Sequence, residues 1–372
     1  MRIHKLTAVG FRNLSPTEFT PEKGVNILYG DNAQGKTNLL EALWLFTGGR
    51  SFRGAKDAEC IGFGREKADL SLEFEAFGRR QEATVTVEKR RSVTLNGIAR
   101  PSAASLAGVL CGVVFSPAHL SLVKDGPDGR RRFIDAACCQ VRPAYIKTVA
   151  AYSRIVIQRN ALLKEYRRLP DGADLLDAWD ERMVQYGAEV CAARAAYLEK
   201  LCSPAAAVYD GLSGGREQLS LHLTHGLDDE GTVTGKMPAE QYAAQLRRAL
   251  AEARGRDLAA GVTTVGPHRG DLEVLVGQRS ARQYASQGQQ RSAVLALKLA
   301  EASVLGSQTG EHPIALLDDV MSELDESRQE YILNHIRDWQ VFITCCDPAN
   351  IRQLAGGTVF RMTGGILTKE SE

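Results

Sequence analysis

One glycine-rich segment constrains the fold of this chain more than any other part of its sequence. Residues 30–37 read GDNAQGKT and fit the pattern G-x-x-x-x-G-K-[ST] at every fixed position. Such glycines let the backbone curl until successive N–H groups converge on phosphate oxygens, and the following helix N-terminus adds positive potential. An apolar run over 24–29 precedes the segment and a helix-like run over 38–46 follows it. The sequence therefore predicts a phosphate-binding loop between a strand and a helix.

This loop assigns ATP binding to contiguous residues. Lys36 is expected to reach the β- and γ-phosphates, and the Thr37 hydroxyl is expected to ligate Mg²⁺. The residues that we expect to bind ATP are Gly30, Asp31, Asn32, Ala33, Gln34, Gly35, Lys36, Thr37 and Asn38.

A second carboxylate for the metal is expected at the end of a buried strand. The apolar run 314–317 is typical of a parallel strand covered on both faces, and it ends in Asp318 and Asp319. We expect Asp318 to emerge beside the phosphate loop and to hold Mg²⁺. Asp319, one step further, is expected to polarise the attacking water as the catalytic carboxylate.

A Ser-x-Gly-Gln element indicates the subclass of ATPase. It comprises Ser286, Gln287, Gly288 and Gln289 and lies between the phosphate loop and the aspartate pair. ABC-type ATPases allow a long insertion between those two motifs, and in them this signature closes over the nucleotide of the partner subunit. A serine hydroxyl, a glycine N–H and a helix N-terminus offer donors to a γ-phosphate held opposite. Taken alone, the element also fits an ordinary capped helix after a polar turn.

The middle of the chain is predicted to be helical. Apolar residues recur in a heptad pattern over 145–166, interrupted by Arg159, and again over 176–197, with a Pro-Asp-Gly turn at 170–172 between the two runs. This arrangement predicts a short antiparallel helical hairpin. We predict an α/β, ABC/SMC-type P-loop ATPase head made of residues 1–119 and 261–372, with a mainly helical arm or lid at 120–260.

Overall charge does not by itself indicate a nucleic-acid partner, because 46 basic residues balance 45 acidic ones and leave a net charge of +1. A balanced total still allows a local basic face. The clusters that we take as candidates for DNA contact are Lys89, Arg90, Arg91, Arg130, Arg131 and Arg132. No apolar run approaches the roughly 20 residues needed to span a bilayer, and the first residues lack the core of a signal peptide, so we expect a cytoplasmic protein with no membrane partner.

Many short segments resemble the RecF family. They comprise 11–13, 34–42, 49–53, 114–117, 131–135, 158–164, 266–269, 286–291 and 317–325. The chain departs from the family pattern in three places: Ala33 stands at a usual glycine, Ala118-His119 replaces an acidic pair, and Gly270 replaces an aspartate. The resemblance also suggests an active-site rim at Arg12, His268, Arg269 and Thr344.

The resemblance implies a weak, DNA-stimulated ATPase that acts mainly as a DNA-binding switch. It implies a homodimer that forms through Ser286–Gln289, holds duplex DNA at single-strand gaps, and acts with RecR and RecO to help load RecA. We expect a monomer without nucleotide, because an interface built around a γ-phosphate is incomplete without it. Three alternatives remain open. An SMC-type head would have arms far longer than the hairpin at 145–197, and a transporter subunit would usually have a histidine within 342–347, where this chain has none. The third alternative is an interaction module with an inactive nucleotide site.

Overall fold

The structure, a computed structural model, describes residues 1–227, 237–349 and 356–370. The chain forms two compact units, one made of residues 1–121 and 294–372 and the other of residues 122–293. The strands are β1 (Arg2–Val9), β2 (Thr17–Phe19), β3 (Val25–Tyr29), β4 (Ala68–Ala76), β5 (Arg79–Val87), β6 (Arg91–Leu95), β7 (Ile98–Arg100), β8 (Gly112–Phe115), β9 (Leu219–Thr224), β10 (Asp271–Val276), β11 (Arg279–Ser280), β12 (Ile314–Asp318), β13 (Val341–Cys345), β14 (Thr358–Thr363) and β15 (Ile366–Lys369). The helices are α1 (Lys36–Leu45), α2 (Pro117–Leu120), α3 (Pro127–Val141), α4 (Tyr145–Glu165), α5 (Gly172–Ser213), α6 (Ala239–Ala260), α7 (Ala281–Tyr284), α8 (Gln287–Thr309) and α9 (Glu326–His335).

The first unit contains two six-stranded sheets. One is antiparallel, with the order β2-β1-β4-β5-β6-β7, and the other has the order β15-β14-β3-β13-β12-β8 with parallel pairing from β14 to β8. In β4 every second side chain is buried, as the period of a strand with one covered face requires. β12 and β13 are buried along their whole length. Leu39 and Leu43 of α1 join both sheets in one apolar core, so the helix after the phosphate loop is fixed from two sides.

The second unit is built around α4, α5 and α6. Thr148 donates a hydrogen bond to Glu189 at 2.9 Å and Arg159 donates to Asp180 at 2.6 Å, so residues late in α4 meet residues early in α5. This confirms the predicted antiparallel hairpin. However, α5 is a 42-residue helix that continues well beyond the second heptad run.

The residue that interrupts the first heptad run is the centre of a buried ion cluster. Arg159 is 0% exposed, and its guanidinium binds Asp180 on α5 and Asp257 at the C-terminal end of α6, each at 2.6 Å. It also donates to the Thr263 hydroxyl at 2.9 Å. A buried charge is tolerated only when it is paired and hydrogen-bonded. The polar interruption of the heptad pattern therefore joins three segments of the arm.

The boundary between the two units differs from the prediction. We expected the head to resume at residue 261, but residues 261–293 belong to the second unit. The reason is strand pairing, because β10 lies antiparallel between β9 and β11 in a separate three-stranded sheet. A strand pattern at 271–276 reveals an alternating face but not the partner strand, so the sequence did not distinguish a strand of the head from one of the arm.

Replacing Arg159 with leucine should lower the free energy of unfolding of the arm by about 3–5 kcal/mol, because Asp257 would be left buried without its cation. The exposed pair Arg247–Glu181 provides a matched control, and Arg247→Leu should change the same quantity by about 1 kcal/mol or less. Urea unfolding of the full chain, followed by helical circular dichroism, measures both. Equal midpoints for the two variants would contradict a structural role for the buried cluster.

Candidate nucleotide site

The phosphate loop has a backbone that depends on glycine. Gly30 has a φ of 150°, and a Cβ there would collide with the carbonyl oxygen of Met362, while Gly35 has a φ of 115°. Ala33 also adopts a left-handed conformation, with a φ of 64°. Alanine is strained there by about 1–2 kcal/mol, which explains why a glycine suits this position. The loop nevertheless keeps its shape with alanine in place.

Side chains and backbone from two other segments hold the loop. Asn13 donates to the Ala33 carbonyl at 2.9 Å and accepts from Asn38 at 2.6 Å. The Gly364 N–H donates to the Gln34 side-chain oxygen at 2.6 Å, and the Gly365 N–H donates to the Gln34 carbonyl at 3.0 Å. Sequence reasoning did not assign a role to Asn13 or to the β14–β15 turn, since both lie far from the loop in the chain.

The loop lysine is buried and held by the loop itself. Lys36 is 7% exposed, and its ammonium donates to the carbonyl oxygens of Gly30 and, at 3.0 Å, Asp31. The Cys346 thiol lies 3.9 Å from the ammonium and 3.3 Å from the Asn32 side-chain oxygen. The ammonium therefore lies within the curl of the loop, where a bound phosphate can replace carbonyl oxygens as its partner.

Two hydroxyl groups meet the carboxylate at the end of β12. Thr37 donates to Asp318 at 2.7 Å, and Thr344 of β13 donates to the same oxygen at 3.0 Å. The strand β13 lies between β3 and β12, so Asp318 reaches the loop across one intervening strand. Burial raises the pKa of Asp318, and the two hydroxyl hydrogen bonds oppose that rise. A hydroxyl beside a buried carboxylate is a donor set of hard oxygen atoms, which suits Mg²⁺.

The neighbouring aspartate has a strained backbone. Asp319 has a φ of 50°, and its N–H donates to the Thr344 hydroxyl at 2.9 Å. Its carbonyl accepts from Ser322 at 2.8 Å. Left-handed conformations at non-glycine residues are concentrated at functional sites. The structure thus places Asp318, Asp319 and Thr344 together, and Thr344 links the two aspartates.

The Ser-x-Gly-Gln element forms a capping box at the start of α8. The Ser286 hydroxyl accepts from the Gln289 N–H at 3.2 Å, and the Gln289 side-chain oxygen accepts from the Ser286 N–H at 2.7 Å. The Gln289 amide also donates to Glu217 at 2.5 Å. Ser286 and Gln287 remain exposed. The capped-helix interpretation is therefore correct for the local geometry, and it leaves the helix N-terminus open to solvent.

Arg12, a candidate for the active-site rim, is bound to α1 in this structure. Its guanidinium donates two hydrogen bonds of 2.9 Å to Glu41 of α1 and one of 2.7 Å to the Glu59 carbonyl. Glu41 is 0% exposed and also accepts from Ser51. A planar guanidinium facing a buried carboxylate is a strong two-point contact, so Arg12 fixes α1 from beneath the site.

His268 and Arg269 lie in the second unit and serve the arm. The ring nitrogens of His268 contact the Tyr152 hydroxyl at 2.7 Å and the Thr263 carbonyl at 3.2 Å, and Arg269 donates to the same carbonyl at 2.8 Å. Burial lowers the pKa of His268 to about 4, so the ring is neutral near pH 7. His268 joins the loop at Thr263 to α4, and Arg269 binds the same loop carbonyl, so both residues stabilise this loop.

Two of the candidate DNA-contact residues, Arg91 and Arg130, form ion pairs within the protein. Arg130 is 3% exposed and forms a two-point ion pair with Asp271 at 2.8 Å. Arg91 donates to the Gly49 carbonyl at 2.8 Å and its side chain lies against Asp57 at 3.0 Å. Arg131 is partly buried and bonded to the Gly270 carbonyl and Asp128. The exposed members of the clusters are Lys89, Arg90 and Arg132.

The structure explains the glycine at position 270. A Cβ on Gly270 would collide with the carbonyl oxygen of Thr224, because the loop before β10 packs directly on the end of β9. At the other departure, His119 lies 3.0 Å from the Ser116 hydroxyl, and burial with the nearby Lys298 lowers the pKa of His119 to about 3. Burial is the main reason that the histidine is neutral, and the cost of a second cation beside Lys298 adds to it.

The fold and the site define the class of this protein as an ABC-type P-loop ATPase head of the SMC kind. The family model described as RecF/RecN/SMC N terminal domain matches residues 2–364. The DNA replication and repair protein RecF of Ruminiclostridium cellulolyticum is 36% identical over 98% of both chains, and that of Symbiobacterium thermophilum is 41% identical over 93% of this chain and 92% of its own. The chain therefore belongs to the RecF family of ATP-binding ATPases.

Solved structures agree with this assignment. The recombination mediator protein RecF-ATPrS in the RecFOR pathway has a TM-score of 0.91 with 33% identity, covering 99% of this chain and 98% of the other. An Smc head domain from Pyrococcus furiosus has a TM-score of 0.55 at 16% identity, which supports the fold alone. Among the residues that the structure describes, no helix combines the length and the apolar character needed to cross a membrane.

The nucleotide-free chain should become more stable when Asp318 is changed to asparagine. Burial raises the folded-state pKa of Asp318 above the ordinary value for an aspartate, so the ionised form costs stability as pH rises through that pKa. Asparagine keeps an oxygen for Thr37 and Thr344 without the charge. Thermal unfolding at pH 7 should show a midpoint raised by a few degrees, and the difference should shrink as pH falls through the pKa of Asp318. Asp338→Asn, at an exposed position, should leave the midpoint unchanged.

Introducing at position 270 the aspartate that the family resemblance implies should destabilise this protein. Gly270→Asp forces a Cβ against the Thr224 carbonyl, and overpacking of this kind costs about 1–3 kcal/mol. Gly126→Ala is the control, because a Cβ there meets no atom within 4 Å. Differential scanning calorimetry should show a lower transition temperature for Gly270→Asp only. An unchanged transition would mean that the β9 end moves freely to accept the side chain.

Proposed function

We propose that this protein is an ATP-gated DNA clamp of recombinational repair and replication restart. In this proposal two copies close on ATP, hold duplex DNA at single-strand gaps, and release it after slow hydrolysis. The relatives named as DNA replication and repair proteins, and the structures described as recombination mediators, support this assignment. RecR, RecO and RecA are the proposed protein partners, and DNA as the substrate implies work in the cytoplasm.

The first unit binds the nucleotide in this proposal. Loop N–H groups from Gly30 to Asn38 hold the phosphates, and Lys36 moves from loop carbonyl oxygens to the β- and γ-phosphates. Thr37 and Asp318 would hold Mg²⁺, which would neutralise phosphate charge. Asp319 accepts a hydrogen bond from the attacking water and orients it. An aspartate side chain is short. The position of the Asp319 carboxylate relative to the water therefore depends on the left-handed backbone of Asp319 and on its N–H contact with Thr344.

The observation that carries the clamp is the exposed capping box at Ser286. In most capped helices the cap leaves the N-terminal N–H groups with partners inside the protein. Here the N-terminus of α8 is open to solvent beside the exposed side chains of Ser286 and Gln287. Such a terminus attracts anions. A γ-phosphate on a second copy would complete it, so the signature acts in trans. The nucleotide-free chain is then a monomer and the ATP-bound chain a dimer.

Weak, DNA-stimulated turnover follows from the same arrangement. The catalytic site is complete only when two copies meet, so any ligand that favours the dimer also raises the rate of hydrolysis. Duplex DNA held between two copies has this effect.

An SMC-type head is the second candidate, but its agreement in fold is much lower, with a TM-score of 0.55 against 0.91. A transporter subunit would place a histidine after β13, where residues 346–349 are Cys-Asp-Pro-Ala.

Sedimentation of the purified chain with a short gapped duplex tests the clamp. ATP with Mg²⁺ should produce a dimer that retains DNA, whereas ADP or no nucleotide should leave a monomer. Ser286→Arg should abolish the dimer and keep ATP binding, because the added side chain blocks only the trans contact. Ser105→Arg adds the same charge at an exposed serine outside the signature and should still dimerise. An oligomeric state that ignores ATP would refute the clamp.

A further inference from the structure

The outer face of α4 carries a row of basic side chains. Lys147, Arg154, Lys164 and Arg168 are all exposed, and they follow one another at intervals that keep them on one side of the helix and its 3₁₀ extension. We call these four residues the basic stripe. The exposed positions between them include Ala150, Ser153, Ile157, Gln158 and Ala161, which are uncharged, and Glu165, which is acidic.

The stripe is fixed in orientation by the opposite face of the same helix. Tyr152, Ile155, Val156, Leu162 and Leu163 are buried against the rest of the arm. Arg159 is held by Asp180 and Asp257, and Asn160 accepts from the Thr263 N–H at 2.7 Å. The helix therefore cannot rotate about its axis without breaking buried polar contacts. The stripe is a preformed surface.

The charge of the stripe is not compensated locally. Glu165 is the only acidic residue of α4, and it binds Arg168 at 3.0 Å. Within the described ranges 1–227, 237–349 and 356–370, no carboxylate forms an ion pair with Lys147, Arg154 or Lys164. By contrast, the exposed side chains of the paired helix α5 include Asp174, Asp177, Glu181 and Glu189. Arg182 is also exposed on α5, so that helix mixes both signs as an ordinary solvated face does, whereas α4 is predominantly basic.

The dimensions of the stripe match the backbone of a duplex. At about 1.5 Å per residue, Lys147 and Lys164 lie about 25 Å apart along the helix axis. Duplex DNA carries about one negative charge per 1.7 Å of axis, so all the cations of the stripe can lie near phosphates at once. The exposed positions of the stripe include no aromatic side chain on which an unpaired base could stack. These features favour duplex over single-stranded nucleic acid.

We propose that the basic stripe on α4 is a contact surface for the phosphate backbone of duplex DNA. This inference rests on the proposed clamp and adds a surface on α4 to the candidates from sequence analysis, which were Lys89, Arg90, Arg91, Arg130, Arg131 and Arg132. The stripe binds without regard to sequence, because lysine and arginine reach phosphates and no side chain of the stripe is placed to read base edges. The stripe strengthens the binding of duplex DNA by the dimer and makes that binding more dependent on salt concentration.

The test compares full-length variants by duplex binding in ATP and Mg²⁺ over a range of salt concentrations. The triple variant Lys147→Gln, Arg154→Gln, Lys164→Gln should bind a short blunt duplex at least about tenfold more weakly at low salt, because it loses three phosphate contacts. The slope of log affinity against log salt should fall by up to about 2.7, at about 0.9 for each lost contact. Arg154→Lys alone keeps the charge and should keep the slope.

The control removes the same charge from exposed positions outside the stripe. Lys23→Gln, Arg182→Gln, Arg248→Gln should leave both affinity and slope unchanged. Unchanged thermal midpoints and ATP affinity would show that the variants fold. If the unmodified protein retains duplex and the stripe variant binds it with the same affinity and slope, the stripe assignment is overturned and the clamp survives. If the unmodified protein binds no duplex, the clamp and the stripe assignment both fail.

Discussion

The hydrogen bonds from Thr37 and Thr344 to Asp318 depend on one topological constraint, the parallel pairing of β3, β13 and β12. Parallel strands end at the same edge of a sheet, so side chains 281 positions apart in the chain come within hydrogen-bond distance. The register is fixed because the side chains of β12 and β13 are buried on both faces, and a slip would expose or overfill a core position. Any length of chain can be inserted between these strands without disturbing the site. The arm is such an insertion.

The buried charges of the nucleotide site are hydrogen-bonded to other groups of the protein. Lys36 is bound to loop carbonyl oxygens and Asp318 to two hydroxyl groups, so neither buried charge is left without a partner. Strain is also concentrated here, since Ala33 and Asp319 adopt left-handed conformations that their side chains disfavour. Stability is reduced at the positions where nucleotide chemistry requires a particular shape, which is a common relation between stability and function.

The arm uses buried polar contacts for a different purpose. Arg159 and its two aspartates contribute little net stability compared with apolar packing, but they allow only one rotation of α4 about its axis. Fixing that rotation determines which residues of α4 reach solvent. The exposed basic residues on the outer face of α4 and the buried arginine are thus two consequences of one helix orientation. This connects an internal ion cluster to a surface whose proposed partner is DNA.

The sequence by itself determined the parts of the protein that depend on local pattern. The loop at 30–37, the strand ending at Asp318, the hairpin from Tyr145 and the helix after Ser286 all lie where periodicity, capping and glycine spacing placed them. Only the tertiary structure decided that β10 pairs with β9, that Arg12 and Arg130 form ion pairs with Glu41 and Asp271, and that Lys147 and Arg154 are exposed. Arginine residues in these two settings look alike in a sequence. The burial of a charged side chain depends on a partner carboxylate elsewhere in the chain, and only the completed fold brings the two together.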